Sequence, residues 1–439
     1  MAGRSDRGLS IPDWVVLDNQ LYRKDLASFG ADGLTSADGE ASNGEPVKVS
    51  VILHELPDTS RICVHCPEER DLSSFDSVVA AHGGAVLFRL EGSFEGLTWR
   101  GSGHAVDYFI YWACPTGPKL SLLPRGYSTE NEVMAAPEGS WRRLAWPMMD
   151  VKSIGLLLTD NSGGFVVTEL HVNLAKLEDD VAAPLEAELF RLCSHSSATD
   201  GEWEVQHTKV REGKATFCDL NGWWEAHKVV PYGSYLCWVD YTRGVIFCHV
   251  NHPSPELQYL SLPVGDVPVG DPGYFTRGWP QGSRAVSITR GGKMKFVNIV
   301  RSDGRLSGWS RPNSGFTINV FTLMHKSYDD MEWGDKFTIT ATQLWAMEGF
   351  DDLPRVVPEF PLVSMDNPNI IYFVLKEKHP LAAKTWVVTL DMNSELVVSY
   401  KSIKGVPREG ALMASHNIYC NAPFFPSEFS KYLHKASEQ

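Results

Sequence analysis

The chain has 439 residues, of which 43% are hydrophobic and 21% are charged, an ordinary balance for a globular protein with a large core. The formal net charge of −14 disfavours binding to nucleic-acid phosphates and to anionic membrane surfaces, and no run of Lys or Arg offers a local exception. No apolar stretch reaches the length of a membrane span, and the polar N-terminus lacks a signal-peptide pattern.

Cysteine usage indicates the compartment. Eight cysteines in a chain of this length are too few for a disulfide scaffold, and the sequence contains no Asn-x-Ser/Thr glycosylation site. The sequence therefore predicts a cytoplasmic or nuclear protein with reduced thiols.

Two segments near the N-terminus are predicted to lack regular structure. Residues 1–11 are polar, and we expect them to be flexible. Residues 30–46 (GADGLTSADGEASNGEP) are small, polar and acidic. They can bury little apolar surface, so they should form a mobile loop.

Beyond this loop, the chain has the pattern of short strands that form successive antiparallel hairpins. Each predicted hairpin turn contains Gly, Asn or Asp, because these residues tolerate positive φ. In chain order, the predicted strands and hairpins are Val47–Leu53, Ser77–Ala81 with Ala85–Leu90, Val106–Trp112, Ile154–Leu158 with Phe165–Val172, Tyr235–Asp240 with Val245–Val250, Leu257–Leu262, Arg284–Thr289 with Lys293–Ile299, and Thr385–Leu390 with Glu395–Tyr400.

Helical signals are few. Val181–Leu192 has a mixed character, and Thr338–Met347 has the pattern of a strand that runs into one helical turn. Apolar side chains share one face of Ser427–His434, which predicts a short helix within a C-terminal helical tail over residues 426–439.

The number of short strands exceeds what one β-sandwich holds. Radial repetition protects sheet edges in a chain of this size, so the pattern predicts an all-β fold, a β-propeller-like repeat of short antiparallel hairpins. We expect it to form a single domain over residues 12–425. Two separate β domains that meet near residues 175–215 are the alternative architecture.

A set of motifs between residues 232 and 400 is specific as a combination. The motifs are Leu236–Cys248 (LCWVDYTRGVIFC), Leu260–Val264 (LSLPV), Asp329–Trp333 (DDMEW), Leu344–Met347 (LWAM), Leu353–Arg355 (LPR), Pro358–Pro361 (PEFP), Val363–Asp366 (VSMD) and Tyr372–Leu375 (YFVL). Through them the chain resembles the large grass-plant family with domain of unknown function 1618. Pro12–Asp18 and the aromatic strand Tyr108–Trp112 extend the resemblance to nearly the whole chain.

The resemblance implies a plant protein of a family whose biochemical role is unassigned, and it supplies no catalytic residue. Some relatives resemble the propeller-like regions that follow F-boxes. Here the N-terminus leads directly into Trp14 and shows no three-helix F-box pattern. The resemblance therefore does not imply docking to a ubiquitin-ligase adaptor through an F-box.

Two cysteine groups have partial metal-ligand patterns. Cys63 and Cys66 form a CxxC pair, but no second CxxC or HxxxH supplies the other ligands that zinc requires. The second group is Cys248–His252 (CHVNH) with Cys237 on the partner strand, although alternation places Cys248 and His249 on opposite strand faces. We expect structural cysteines, with no bound metal, no cofactor and no disulfide.

Carboxylates cluster at Asp329–Glu332 and at Glu348–Asp352. Two carboxylates at a fixed separation can hydrolyse a glycosidic bond. A hydrolase acting on a carbohydrate, with acidic loop residues in a central funnel, is therefore the alternative function. Solvated loop residues are the simpler interpretation, and no GxSxG, P-loop, HExxH or EF-hand motif is present, so we predict no catalytic residue.

Trp223 and Trp224 stand in a loop-like stretch just before the hairpin at Tyr235. Two adjacent tryptophans cannot both enter one core layer of a strand, so these residues are candidates for partner binding, since exposed Trp is a typical interface anchor. The structural alternative is that both pack between neighbouring blades. Together with the strand repeats and the missing catalytic motifs, they predict a non-enzymatic scaffold that binds a protein partner through loops.

Overall fold

The structure is a computed structural model of the chain. It describes residues 11–65, 72, 76–92, 105–124, 150–159, 163–173, 186–194, 201–210, 224–265, 279–327, 330–377, 384–403 and 425–433. Of these residues, 57% lie in strands and 6% in helices, which confirms the all-β fold class. None of the described helices has the length and apolar character needed to cross a lipid bilayer.

The described part of the chain contains 25 strands. In chain order they are β1 Val15–Arg23, β2 Ala37–Glu40, β3 Pro46–Ile52, β4 Ser60–His65, β5 Ser77–His82, β6 Ala85–Gly92, β7 Ala105–Trp112, β8 Lys119–Leu122, β9 Ile154–Leu158, β10 Phe165–Asn173, β11 Glu186–Ser194, β12 Trp203–Lys209, β13 Lys228–Tyr232, β14 Tyr235–Asp240, β15 Gly244–Cys248, β16 Leu257–Ser261, β17 Arg284–Ile288, β18 Met294–Arg301, β19 Phe316–Ser327, β20 Asp330–Thr340, β21 Glu359–Val363, β22 Ile370–Glu377, β23 Lys384–Asp391, β24 Leu396–Ile403 and β25 Phe425–Ser427. The helices are α1 Ala341–Trp345 and the 3-10 helices Leu26–Asp32, Pro280–Gly282 and Phe429–Leu433.

The chain divides into two compact units. The first unit consists of Met1–Leu123 with Phe425–Gln439, and the second consists of Pro124–Phe424. The single domain over residues 12–425 stays a prediction.

The first unit is built on one sheet with the strand order β2-β3-β4-β1-β5-β6-β7-β8. β1 runs parallel to β4 and antiparallel to the C-terminal strand β25. The 3-10 helix Phe429–Leu433 follows, and its Phe429 is fully buried against Tyr111, with the ring centroids 6.0 Å apart. The predicted C-terminal helix is thus a short 3-10 helix whose apolar face packs into this core. Residues 434–439 of the predicted tail lie outside the described residues.

The segment 30–46 differs from the irregular loop that its composition indicates. It contains β2, which pairs with β3 as a hairpin. Ala37 and Ala41 are buried, and the Thr35 hydroxyl donates to Val51 O at 2.9 Å. Small side chains can therefore pack beneath this sheet, which a count of large apolar residues does not reveal. The mobility of the segment stays a prediction.

The second unit contains four sheets of four strands each: β9–β12, β13–β16, β17–β20 and β21–β24. Each sheet is an antiparallel meander in which every strand pairs with the next one along the chain. Each of the four sheets contains one of the predicted hairpins of this region, which confirms those hairpins.

Neighbouring sheets of the second unit contact each other through their first strands, β9 with β13, β13 with β17, and β17 with β21. Gly155 on β9 allows this close approach, since a Cβ there would lie 2.6 Å from Val229 Cγ1. Successive four-stranded meanders are the repeat from which β-propellers are built. A closed radial arrangement of the whole chain stays a prediction.

Two segments with helical signals have different outcomes. Within Val181–Leu192, the described residues belong to strand β11, which pairs with both β10 and β12. Buried apolar residues at Leu189 and Leu192 favour the strand over the mixed helical pattern. The strand-to-helix transition predicted within Thr338–Met347 is confirmed, because β20 ends at Thr340, which forms a capping box with Gln343 at the start of α1.

Candidate functional site

Trp238 ties two sheets of the second unit together. It is fully buried on β14, and its indole Nε1 donates to Ser153 O at 2.7 Å, immediately before β9. A buried indole N–H needs an acceptor, and this one finds it on the neighbouring sheet. The side chain therefore fixes the start of β9 against β14.

Asp240 organises the turn that follows β14. Its Oδ1 accepts hydrogen bonds from Thr242 N at 2.8 Å and from the Thr242 hydroxyl at 2.6 Å. Its Oδ2 accepts from Glu225 N at 3.4 Å and lies 3.7 Å from Arg243 Nε. A carboxylate that bonds its own backbone two residues on is a common turn-stabilising arrangement. Asp240 is buried and has a structural role.

His227 lies beside Asp240 in its neutral form. Its Nδ1 accepts a hydrogen bond from Tyr241 N at 3.3 Å, so the proton is assigned to Nε2. Burial lowers the pKa of His227 below its usual value, and the negative charge of Asp240, with Nδ1 3.5 Å from Oδ1, opposes this shift only in part. The pair is thus a buried carboxylate beside a neutral imidazole.

Tyr241 connects the same turn to the next sheet. Arg284 Nη1 donates to Tyr241 O at 2.6 Å, and Val286 N donates to the Tyr241 hydroxyl at 3.3 Å. Burial raises the pKa of Tyr241 to about 12, so the hydroxyl stays protonated at neutral pH. The conspicuous WVDY motif therefore contacts β9 on one side and β17 on the other, and its side chains hold sheets together.

The loop between β18 and β19 carries an exposed tryptophan. Arg301, which is buried, donates to both carboxylate oxygens of Asp303, at 2.9 and 2.6 Å. The same guanidinium donates to Gly308 O at 2.7 Å and to Trp309 O at 3.3 Å. Hydrogen bonds from Arg301 hold the pKa of Asp303 below its usual value. One buried cation thus ties the start of this loop to its middle, while 48% of Trp309 stays exposed.

The loop is also anchored to the β21–β24 sheet. Glu359 on β21 accepts a hydrogen bond from Gly308 N at 2.5 Å through Oε1, and its Oε2 lies 3.2 Å from Lys376 Nζ. The Ser310 hydroxyl accepts from Val357 N at 3.1 Å. Since two sheets hold the loop, its exposed side chains stand on a fixed base.

A second exposed tryptophan lies beside this loop. Trp279 N donates to the Ser307 hydroxyl at 2.8 Å, and 39% of Trp279 is exposed. Lys152 Nζ lies 5.8 Å from the Trp279 ring centroid, within the range of a cation–π contact. The backbones that carry Trp279 and Trp309 are therefore held together through Ser307.

Three exposed arginines belong to this loop and its anchor, namely Arg305, Arg311 and Arg355. The anchor is a hydrogen bond from Asn313 N to Arg355 O at 2.7 Å. Within the described ranges, none of the three arginines forms an ion pair with a carboxylate. We refer to the two exposed tryptophans and these three arginines as the tryptophan–arginine surface.

The structure describes one of the two tryptophans that the sequence singles out. Trp224 is half-buried, and its ring meets Tyr259 edge-on with the centroids 6.4 Å apart. It packs against the apolar cluster between the β9–β12 and β13–β16 sheets. Trp223 lies outside the described residues, and partner binding by this pair stays a prediction. Trp309 has no adjacent tryptophan, so the pattern that singles out Trp223 and Trp224 does not identify it.

The cysteine groups do not assemble in the described residues. Cys248 shares a face of its sheet with Leu236, whereas Cys237 is opposite Phe247 and packs on the other face. Burial raises the pKa of Cys248 to about 12 and that of Cys237 well above its usual value, so both are protonated thiols. Cys63 is buried on β4, and Cys66 falls in an undescribed stretch.

The acidic clusters occupy solvent-facing positions. Glu332, Glu348, Asp351 and Asp352 are exposed, and Asp352 accepts a hydrogen bond from the Tyr400 hydroxyl at 3.1 Å. Asp329 is outside the described residues.

Three solved structures have remote similarity to the chain. Hydrazine synthase from Kuenenia stuttgartiensis is 10% identical with a TM-score of 0.28, and the match covers 74% of this chain and 80% of that chain. The α-L-arabinofuranosidase Arb93A from Fusarium graminearum is 12% identical with a TM-score of 0.29, covering 90% and 85%. A structure from the GH130 family of mannoside phosphorylases, which contains hydrolases that target β-1,2-mannosidic linkages in Candida mannan, is 11% identical with a TM-score of 0.28, covering 69% and 81%. Similarity at this level supports no argument about activity.

The sequence comparisons are more specific. A search among curated proteins gave no match. A family model described as "Protein of unknown function (DUF1618)" matches residues 238–372, which include the WVDY motif and the whole loop that carries Trp309. This match confirms, over residues 238–372, the family resemblance that the motifs indicate.

Proposed function

We propose that this protein is a non-enzymatic interaction scaffold that binds a protein partner through the tryptophan–arginine surface. The observation that carries the proposal is a pair of exposed tryptophans, Trp279 and Trp309, held by one hydrogen-bonded loop. Trp and Arg are the residues most enriched among interface hot spots. A large side chain on a fixed loop loses little conformational freedom on binding, so its contact area is converted efficiently into affinity.

The other conspicuous residues of the family segment support this reading. The polar atoms of Trp238, Asp240 and Tyr241 form hydrogen bonds within the chain, either in the turn or to the adjacent sheets. Side chains engaged in this way hold a framework, and exposed loops on that framework are free to vary in function.

Trp223 and Trp224 are candidates for the same interface. Glu225, the next residue, pairs with Lys152 at 3.1 Å, and Lys152 lies over the Trp279 ring. The segment that follows these two tryptophans is therefore linked to the tryptophan–arginine surface through one lysine. A partner that covers Trp279 would also lie near Glu225.

We place the scaffold in the cytoplasm or the nucleus. Cys63, Cys114, Cys193, Cys237 and Cys248 are free thiols. Free thiols in the described residues, together with the absence of glycosylation sites from the sequence, support a reducing compartment.

Affinity capture with matched variants tests the proposed function. The full chain, Trp309→Ser, Trp279→Ser and the control Val398→Ser are each used as bait, and the bound proteins are quantified by mass spectrometry. Val398 is a suitable control because it is an equally exposed apolar residue, at 52%, on strand β24 of the same unit.

We expect proteins that are enriched by the wild type and by Val398→Ser and are lost with Trp309→Ser. With a purified partner, Trp309→Ser should weaken binding about 30-fold, the equivalent of a hot spot of about 2 kcal/mol. Melting temperatures of all baits verify that each variant is folded. If the set of bound proteins is the same for every bait, the surface is not the binding site.

A further inference from the structure

The tryptophan–arginine surface has the opposite charge to the chain as a whole. The chain carries a formal charge of −14, yet residues 301–315 contain three arginines and a single acidic residue. Arg355 is joined to this segment through the hydrogen bond from Asn313 N. The loop that exposes Trp309 is therefore locally cationic on an anionic protein.

Two carboxylates that contact this loop, Asp303 and Glu359, are already engaged within the protein. Asp303 receives two hydrogen bonds from the buried Arg301. Glu359 is bound by Gly308 N and by Lys376. Arg305, Arg311 and Arg355 are exposed and have no ion-pair partner in the part of the chain that the structure describes. Their charges are available to a ligand.

The chemistry of these side chains selects among ligands. A guanidinium group binds a carboxylate through two parallel hydrogen bonds, and the ring of Trp309 offers an apolar contact between the charges. Nucleic acid is a poorer fit, because phosphate binding depends on the number of cations, and three arginines face an overall charge of −14. The complementary ligand is a peptide in which acidic residues flank an apolar side chain.

We propose that the partner segment bound at the tryptophan–arginine surface is an acidic peptide whose carboxylates pair with Arg305, Arg311 and Arg355 and whose apolar side chain packs on Trp309. This proposal rests on the proposed scaffold function and names the chemistry of its partner. Because the rest of the protein repels an acidic segment, the surface also determines where the segment docks.

A fluorescent random copolymer of glutamate and tyrosine is the probe for this proposal. Its binding to the full chain is measured by fluorescence polarisation for the wild type, for Arg305→Gln/Arg311→Gln/Arg355→Gln, and for the control Lys209→Gln/Lys293→Gln/Lys384→Gln. The control removes the same number of positive charges from exposed positions elsewhere in the second unit. Polyglutamate without tyrosine measures the contribution of the apolar contact.

The wild type and the lysine control should bind the copolymer, whereas the arginine variant should bind at least about tenfold more weakly, a difference of about 1.4 kcal/mol. The difference in affinity between the wild type and the arginine variant should become smaller at about 1 M salt, where charges are screened beyond about 3 Å. Equal weakening in both triple variants, no binding by the wild type, or tighter binding of a short single-stranded DNA overturns the proposal. So does self-association of the wild type that the arginine variant abolishes, since the surface would then bind a second copy of the chain.

The acidic-peptide proposal and the scaffold function can fail separately. If the arginine variant captures the same proteins that Trp309→Ser loses, the acidic-peptide proposal fails while the scaffold function stands. If neither variant changes the captured proteins, both fail.

Discussion

Replacing Trp238 by Phe tests whether the WVDY motif holds sheets together. The substitution removes the indole N–H that bonds Ser153 O and leaves a smaller ring in a fully buried position. The carbonyl of Ser153 then loses its donor, which costs about 1–3 kcal/mol when the group is buried. The unfilled volume adds about 1 kcal/mol. The free energy of unfolding should therefore fall by about 2–4 kcal/mol.

Urea denaturation of the full chain, followed by circular dichroism, measures this loss. Trp309→Phe is the matched control, because it makes the same chemical change at an exposed position of the same unit and should alter stability by less than about 0.5 kcal/mol. Equal losses in the two variants would show that the hydrogen bond between the sheets contributes nothing, and the structural reading of the motif would fail.

Three further predictions follow from the buried groups of the second unit. Asp240→Ala should lower the free energy of unfolding by about 2–3 kcal/mol, and Asp240→Asn, which keeps one acceptor oxygen, by less; equal effects would contradict the turn geometry. Burial lowers the pKa of His227 in the folded state, so as the pH falls the unfolded state takes up the proton at a higher pH than the folded state does. The stability advantage of the wild type over His227→Gln should therefore be full above about pH 6.5 and should shrink as the pH falls below that value. A constant advantage from pH 8 to pH 5, measured by urea denaturation, would refute the neutral assignment. Burial raises the pKa of Cys237 and Cys248, so mass mapping should find both thiols unlabelled by iodoacetamide in the native protein and labelled after unfolding; rapid native labelling would contradict their burial.

The sequence predicts the hairpins well because their information is local. Alternating apolar residues and a Gly, Asn or Asp turn are enough to define hairpins such as β14 with β15, and these two strands pair antiparallel in the structure. Strand β25 shows the opposite case. It pairs with β1 across almost the whole chain, and three residues carry too short a pattern to indicate such a partner.

The candidate site required long-range information that the sequence pattern does not hold. Trp309 becomes conspicuous only when Arg301 is seen to bond its carbonyl and Glu359 to bond Gly308 N, contacts that link separate segments of the chain. The sequence pattern predicts partner binding at the adjacent Trp223 and Trp224, but Trp224 packs partly into an apolar cluster. Exposure is a property of the folded surface, and local composition identifies it poorly.

Site-specific photocrosslinking tests whether the partner contacts the tryptophan–arginine surface at Trp309. A photoreactive phenylalanine analogue replaces Trp309 in one version of the full chain and the exposed Val398 in another, and both are irradiated with the captured partner present. We expect a covalent adduct with the partner from position 309 and none from position 398. Adducts that form from position 398 alone would show that the partner binds away from the tryptophan–arginine surface.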